Sequence, residues 1–259
     1  TFESWIASLR SQCQREGMTE PRTAIVTGGG KRVGEAIVGA LLDDGWTVIA
    51  HVHNDADSVP DGAIKVVAEL AEADCANRIF AAADGQPPVR LLVNNAARFG
   101  LDRLGAADAR EFDAHLAVNA RAPMLLIDEL ASRKGDGRAL VVNMLDSKLS
   151  APNPDFLSYT ISKYALAGLG EVAARALASK GIRVNAIAPA LMLPSGEQGE
   201  ANFASVHALN PLNRGVDVAD VIAALRYLID STALTGQTLV LDGGQRFMSL
   251  PRDVQFLER

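Results

Sequence analysis

The sequence has few cysteines, few aromatic residues and no excess of positive charge. Its 259 residues include two cysteines, Cys13 and Cys75, and aromatic residues make up 5% of the chain. Two cysteines exclude a framework of several disulfide bonds, and no Cys/His cluster has the spacing of a zinc site, so we expect no metal. The formal net charge of −6 argues against a nucleic-acid partner, because phosphate binding needs a basic surface.

Long apolar runs are also missing. No stretch approaches the roughly 18 consecutive apolar residues of a membrane helix, so we expect no membrane partner. Residues 1–17 are interrupted by Glu3, Arg10 and Arg15 and lack the apolar core of a signal peptide. We therefore expect a cytoplasmic protein in which residues 1–17 are an N-terminal extension and residues 18–259 form a single domain.

Short apolar runs alternate with helical patterns along most of the chain. Seven runs rich in Val, Ile or Leu predict strands, at residues 23–28, 46–53, 63–70, 90–97, 138–145, 182–189 and 238–244. The longest helical patterns lie between the later runs, at 108–134 and 159–181. This alternation predicts an α/β fold, a single doubly wound Rossmann-type domain with a mostly parallel seven-stranded sheet flanked by helices.

One connection is unusually short. Residues 54–62 join the second and third predicted strands, and their turn-forming composition leaves no room for a helix. Parallel strands normally need a crossover of a dozen or more residues. Either this connection is a compressed loop or one of the two strands is wrongly assigned.

A glycine-rich turn, TGGGKRVG at residues 27–34, follows the first predicted strand. In a doubly wound sheet the first helix points its N-terminus at the phosphates of a dinucleotide, and glycines let the backbone approach them. The spacing departs from GxGxxG because Val33 holds the last position. Taken alone, the turn is equally typical of an ordinary strand-to-helix connection.

Tyr159 and Lys163 lie four residues apart in a helical segment, so their side chains share one face. A phenol has a pKa of about 10 and is a poor acid or base at neutral pH. A nearby ammonium, or an oxidised nicotinamide ring, would lower that pKa. The pair therefore predicts a general acid for reduction by hydride transfer, although a chance pair of surface residues has the same spacing.

Taken together and in this order, the motifs resemble the short-chain dehydrogenase/reductase family over residues 21 to 249. The resemblance implies that Tyr159 and Lys163 are catalytic and that Asn119 holds a water of the proton relay. It also implies cofactor contacts by residues of the glycine-rich turn, of the NNAA sequence after the fourth strand, of the catalytic pair and of the turn after the sixth strand: Gly28, Lys31, Arg32, Val33, Gly34, Asn95, Ala96, Tyr159, Lys163 and Pro189.

Three residues depart from the general family pattern and resemble its pteridine reductase branch. Asp146 stands thirteen residues before the tyrosine, where the family usually has a serine. A carboxylate is a poor donor to a ketone, but it can accept a ring N–H or, when protonated, deliver a proton. Arg32 and Phe99 match an arginine and a ring-stacking phenylalanine of that branch. His51 and His53 resemble its HxH sequence near the cofactor's 2′-phosphate.

The resemblance implies NADPH as cofactor, in preference to NADH, and a pterin or related heterocycle as substrate. Asn54 stands where the branch usually has an arginine, and the adjacent Asp55 could repel a phosphate. Several alternatives stay open from the residues alone. Phe99 could belong to the core, Asp146 could cap a helix while Ser147 takes the usual serine role, and the two histidines could be polar residues at a strand end.

We therefore expect an NADPH-dependent reductase that transfers hydride to a C=N bond of a dihydropterin-like or dihydrofolate-like substrate. The expected catalytic residues are Asp146, Tyr159, Lys163 and Asn119. The expected substrate-binding residues are Phe99, Asp146, Tyr159 and Arg32. The alternatives are a carbonyl reductase of 3-oxoacyl or sugar type that uses Ser147, and a non-catalytic nucleotide-binding sensor. The family resemblance also implies a homotetramer, formed through the helices around 110–133 and 159–179.

Overall fold

The computed structural model describes residues 20–194 and 199–257. Seven strands form one sheet in the order β3-β2-β1-β4-β5-β6-β7. Every neighbouring pair is parallel, which confirms the predicted fold class. The strands are β1 (Thr23–Thr27), β2 (Thr47–Val52), β3 (Ile64–Val67), β4 (Val89–Asn94), β5 (Ala139–Met144), β6 (Ile182–Pro189) and β7 (Thr238–Leu241).

Helices cover both faces of the sheet. The described part of the chain contains α1 (Arg32–Asp43), α2 (Cys75–Ala81), α3 (Ala109–Leu116), α4 (Ala122–Arg133), α5 (Leu157–Leu177), α6 (Glu200–His207) and α7 (Val218–Asp230). Residues of α2, α4 and α5 form one buried apolar cluster with the sheet, and residues of α1 and α7 form a second. The strands are therefore buried on both sides, as expected for continuous Val/Ile/Leu runs.

Among the described helices, none has both the length and the apolar character needed to cross a membrane. The predicted extension at residues 1–17 lies outside the described residues.

The segment at 108–134 is one helical pattern in the sequence but not one helix. A π-helical turn at Ala117–Arg121 separates α3 from α4, and the buried side chain of Asn119 lies in its middle. In a regular α-helix the Asn119 carbonyl would accept from residue 123, which is Pro123 and has no N–H. The proline thus explains why the regular α-helical hydrogen-bond pattern is interrupted here.

The short connection between β2 and β3 is a compressed loop. It contains two turns, closed by hydrogen bonds from Asp57 N to Asn54 O and from Ala63 N to Pro60 O, both 3.1 Å. Because β2 and β3 pair in parallel register, the alternative of a wrongly assigned strand is wrong. The loop lies against the glycine-rich turn, since a Cβ on Gly30 would come within 2.5 Å of the Ser58 carbonyl oxygen.

Candidate active site

The glycine-rich turn after β1 packs directly against the end of β4. Gly28 has a φ of +65°, and a Cβ there would lie 3.1 Å from the Cα of Ala96. The side-chain amide of Asn95 donates to the carbonyls of Thr27, at 2.9 Å, and Gly28, at 3.2 Å. A Cβ on Gly34 would come within 1.9 Å of the Gly28 oxygen, so only glycine lets α1 begin this close. Asn95, Ala96 and Gly34 therefore fix the shape of the turn.

The N-terminus of α1 borders the cavity that Tyr159 and Lys163 also line. Arg32 and Val33, its first residues, line the cavity, and Lys31 before them is exposed. The Arg32 side chain donates through Nη1 to the carbonyl of Pro194 at 2.9 Å. First-turn amides have no acceptor within their own helix, and the helix dipole favours negative charge there. The residues present thus fit the diphosphate of a dinucleotide.

His51 lies behind the turn and His53 lies on the surface. His51 Nδ1 accepts from Gly28 N at 3.2 Å, and its Nε2 donates to the carbonyl of Ala68 at 3.0 Å, which places the proton on Nε2. Burial lowers the pKa of His51, so the ring is neutral. Both ring nitrogens are engaged, and neither is left to bind a phosphate. His53 Nδ1 lies 3.2 Å from a carboxylate oxygen of Glu69.

The end of β5 brings Asp146 to the tyrosine of α5. Tyr159 donates its hydroxyl to Asp146 Oδ2 at 2.9 Å. Asp146 Oδ1 accepts from the backbone N–H of Lys148 at 2.8 Å and so caps a 3-10 turn, Ser147–Ser150. One carboxylate therefore both caps a turn and faces the phenol. Ser147, also lining the cavity, is buried.

Burial has the largest effect on the pKa values of both Tyr159 and Lys163. Burial raises the pKa of Tyr159 well above its ordinary range, and the Asp146 carboxylate raises it further. Lys163 Nζ instead donates to the carbonyl of Met144 at 2.6 Å, and burial lowers the pKa of Lys163 to about 8. In this arrangement burial and the Asp146 carboxylate act against the lowering of the tyrosine pKa expected from Lys163, which stays a prediction for the site with its cofactor bound.

The Asp146 carboxyl group completes this electrostatic arrangement. Burial raises its pKa above the ordinary range. Tyr159 is therefore protonated at neutral pH, and Asp146 holds a proton up to a higher pH than an exposed aspartate does. Both groups suit the delivery of a proton to a substrate.

Asn119 uses its whole side chain to hold the loop after β4. Its Oδ1 accepts from Arg98 N at 2.7 Å, and its Nδ2 donates to Arg98 O at 2.9 Å and to Ser162 Oγ at 2.8 Å. The Arg98 side chain points away and forms a bidentate pair with Glu111. A relay water at Asn119 stays a prediction, and all the hydrogen-bonding atoms of its side chain already have partners in the protein.

Phe99 presents its ring at the cavity. It is 42% exposed, so the alternative that it belongs to the core is wrong. Its ring stacks on Phe156, with centroids 4.4 Å apart, and meets Tyr159 edge to face at 4.8 Å. An aromatic face next to a phenol and a carboxyl group suits a flat polar ring.

One cavity of about 460 Å³ brings much of the predicted site together. Its lining includes nine residues named from the sequence: Arg32, Val33, Asn95, Phe99, Asp146, Ser147, Tyr159, Lys163 and Pro189. Seven others named from the sequence are not in the lining: Gly28, Lys31, Gly34, His51, His53, Ala96 and Asn119. Of these, Gly28, Gly34, His51, Ala96 and Asn119 support the turn or the loop that borders the cavity.

One wall of this cavity was not predicted from the sequence. Residues of the C-terminal end line it, among them Arg246, Leu250 and residues 252–255. They carry neither a motif nor a periodic pattern, and they reach the site only through tertiary packing. Among the described residues, no group of three or more His, Cys, Asp or Glu side chains is placed to hold a metal.

Comparison with known proteins decides the family. The family model described as enoyl-(acyl carrier protein) reductase matches residues 30–246, and pteridine reductase 1 of Leishmania tarentolae is 31% identical over 85% of this chain and 95% of its own. This chain belongs to the short-chain dehydrogenase/reductase family. The expected class, an oxidoreductase of that family, is thereby confirmed.

Two further relatives place this short-chain reductase more closely. Dihydromonapterin reductase of Shigella boydii is 28% identical over 88% of this chain and 98% of its own. The crystal structure of FolM alternative dihydrofolate reductase 1 from Brucella canis, complexed with NADP, superposes with a TM-score of 0.81 and 35% identity. That match covers 89% of this chain and 96% of the other. The resemblance to the pteridine reductase branch is confirmed.

Proposed function

We propose that this reductase transfers hydride from NADPH to a C=N bond of a pterin, of dihydropterin or dihydrofolate type. The hydrogen bond of 2.9 Å between Tyr159 and Asp146, beside the open face of Phe99, is the observation that carries the proposal. A ketone reductase needs a neutral donor at the position of Asp146, whereas a ring nitrogen can use a carboxyl group. The pteridine, dihydromonapterin and dihydrofolate reductases among the relatives support the same substrate class.

Each residue of the site has a role in this proposal. A bound reduced nicotinamide would supply the hydride. Phe99 stacks on the substrate ring, and Asp146 orients the ring through hydrogen bonds. Tyr159, held protonated by burial, delivers a proton to the reduced ring nitrogen. Lys163 supplies positive charge beside the phenol as its proton leaves.

Two residues act at the edges of this arrangement. Asn119 holds the backbone next to Phe99 through its side chain. Arg32, at the N-terminus of α1, holds the cofactor diphosphate or the substrate.

NADPH is the proposed cofactor. The NADP bound to the Brucella canis relative supports this choice. Asp55, the residue that argued against a phosphate, is not a free negative charge, because Lys65 Nζ lies 3.3 Å from its carboxylate. Lys31, exposed in the glycine-rich turn, and His53, exposed after β2, are the side chains proposed to face the 2′-phosphate.

The test is NADPH oxidation by the purified protein with dihydrobiopterin, dihydromonapterin and dihydrofolate, each compared with a panel of ketones. We expect turnover with at least one pterin. Asp146→Ser should lower kcat/KM for that pterin by about a hundredfold, because it removes the ring-orienting carboxyl group. Asp136→Ser, an exposed residue before the other end of β5, is the matched control and should change nothing. No turnover on any pterin would refute the proposal.

A carbonyl reductase is the second candidate, because Ser147 is buried and lines the same cavity. In that case Asp146→Ser should keep or raise activity on ketones, the opposite of the effect proposed for pterins. NADPH binding without turnover on either panel would instead support the nucleotide-binding sensor.

A homotetramer and a cytoplasmic location are also proposed. On α5 an exposed stripe of small and apolar residues runs along Ile161, Ala165, Gly168 and Val172. Its spacing of four, three and four residues gives one continuous helix face that can pack closely on a second copy. The molar mass in solution, measured by light scattering, tests the assembly.

A further inference from the structure

The C-terminal segment, defined here as residues 250–257, forms one wall of the cavity. No sequence motif predicts that these residues lie there. Leu250 and residues 252–255 line the cavity together with Asp146 and Tyr159. Val254 is buried, at 8% exposure, so the segment is packed into the protein and does not lie loosely on it. What holds the segment there therefore influences the shape of the substrate site.

The carboxylate of Asp155 accepts several hydrogen bonds from the segment. Arg252 donates to it through two nitrogens, Nε to Oδ2 and Nη2 to Oδ1, both at 2.8 Å. The backbone N–H of Asp253 donates to the same Oδ2 at 2.9 Å. Asp155 is only 5% exposed, and a buried carboxylate without such partners would be costly. Arg252 accordingly holds the pKa of Asp155 below its ordinary range.

Lys148 connects this anchor to the catalytic carboxyl group. Its Nζ donates to the main-chain carbonyl of Asp155 at 2.6 Å and lies 3.3 Å from the Asp253 carboxylate. Its backbone N–H donates to Asp146 Oδ1. The anchor and Asp146 are thus separated by one residue that contacts both.

An aromatic stack makes a second connection to the site. Phe156, the residue after Asp155, caps the start of α5 with a φ of +57°. Its ring stacks on Phe99 on one side and on Phe256 of the C-terminal segment on the other, with centroids 4.4 and 5.8 Å apart. Movement of the segment would therefore disturb the ring on which the substrate is proposed to stack.

We propose that Asp155 is a positioning residue for the substrate. By anchoring the C-terminal segment it fixes the outer wall of the cavity and the Phe156 ring behind Phe99. It sets the affinity for the substrate. We expect the cofactor site to stay unchanged, because Asp155 does not contact the glycine-rich turn, and the hydride step to change little, because the connection to Asp146 runs only through the backbone N–H of Lys148. This inference rests on the proposed reduction of a pterin and extends it to residues 97 positions apart in the chain.

The test compares Asp155→Asn, Arg252→Gln and the double variant, using the pterin that the wild type reduces. We expect each single variant to raise KM by roughly tenfold with kcat within about threefold, as for loss of a charged hydrogen-bonded pair that orients the site. The NADPH Kd, measured by fluorescence, should not change. The double variant should be no worse than Asp155→Asn, because both substitutions break the same pair.

The matched control is Asp84→Asn, which breaks another Asp–Arg pair, with Arg133, far from the cavity. It should leave KM unchanged. The proposal is overturned if KM is unchanged in both single variants, if the two effects simply add, or if NADPH affinity falls together with KM. If Asp155→Asn does not fold, Arg252→Gln decides alone, since that side chain is half exposed. A wild type that reduces no pterin would refute the proposed function, whereas an active wild type with unaffected variants would refute only the role of Asp155.

Discussion

The substrate end of the cavity and the protein surface beside β2 and β3 are built differently. At the substrate end, Tyr159, Lys163 and Asn119 are all less than 10% exposed, and each side chain is hydrogen-bonded to the protein. At the surface near β2 and β3, the side chains of His53 and Asp55 are 61% and 93% exposed; His53 lies beside the Glu69 carboxylate and Asp55 pairs with Lys65. Desolvated groups shift their pKa values and cannot be replaced by water, whereas exposed ion pairs contribute little. Substitutions at the first end should therefore change the chemistry, and those at the second should only adjust cofactor preference.

The largest effect on activity is expected from a substitution of Tyr159, at the buried substrate end. Tyr159→Phe should lower kcat for the pterin by about a thousandfold, because the proton donor is lost while the ring is kept. Steady-state kinetics measure kcat, and NADPH fluorescence should show an unchanged Kd. Tyr227→Phe on α7, an exposed tyrosine, is the control. A loss smaller than tenfold would mean that the proton comes from elsewhere, with Asp146 the first candidate.

The next effect concerns pH and Lys163. Burial lowers the pKa of Lys163 to about 8, so the side chain is charged below that pH and loses its charge as the pH rises through it. If the charge stabilises the phenolate left by proton transfer, kcat should fall above pH 8, by up to about tenfold per pH unit. In Lys163→Arg this decline should move to higher pH, because the guanidinium does not titrate there. A pH–rate profile with the same alkaline limb in both proteins would contradict the role of Lys163.

Helix α5 shows which features of the site can be predicted from the sequence and which cannot. That Tyr159 and Lys163 share a face follows from helix geometry alone, and the strands follow from their apolar runs. The direction of the tyrosine pKa shift does not, because burial is a property of the folded site. Loss of water on burial and the Asp146 carboxylate both raise the pKa of Tyr159, against the lowering expected from Lys163.

Long-range contacts explain the other omissions. Asp155 and Arg252 are ordinary charged residues in the sequence, and their pairing depends on how the chain returns to α5 after β7. The π-helical turn at Asn119 has a local signal, Pro123, which the helical periodicity of the surrounding segment obscures. The short connection after β2 was compatible with a compressed loop or with a wrongly assigned strand. Only the pairing of β3 with β2 decides between these two interpretations.

A smaller effect, on stability, should distinguish His51 in β2 from His53 in the loop that follows. His51→Leu should lower the free energy of unfolding by roughly 1–3 kcal/mol, because it leaves the buried N–H of Gly28 and the carbonyl of Ala68 without partners. His53→Leu, two residues further on and exposed, should cost less than about 0.5 kcal/mol. Urea denaturation monitored by circular dichroism measures both. Equal losses would show that His51 does not support the glycine-rich turn.

The smallest effect is expected at the ion pair of Lys65 and Asp55. Lys65→Met leaves the Asp55 carboxylate uncompensated beside the site proposed for the 2′-phosphate. A surface pair is worth up to about 1 kcal/mol, so the NADPH Kd should rise by no more than about fivefold, while the NADH Kd changes less because NADH lacks the phosphate. Adding Asp55→Asn should restore NADPH binding, and salt should reduce the difference by screening. If Lys65→Met weakens the binding of both cofactors equally, the lysine acts by holding the loop after β2 and not through its charge. The exposed residues near β2 and β3 would then have a structural role as well, and the contrast with the buried substrate end would be smaller.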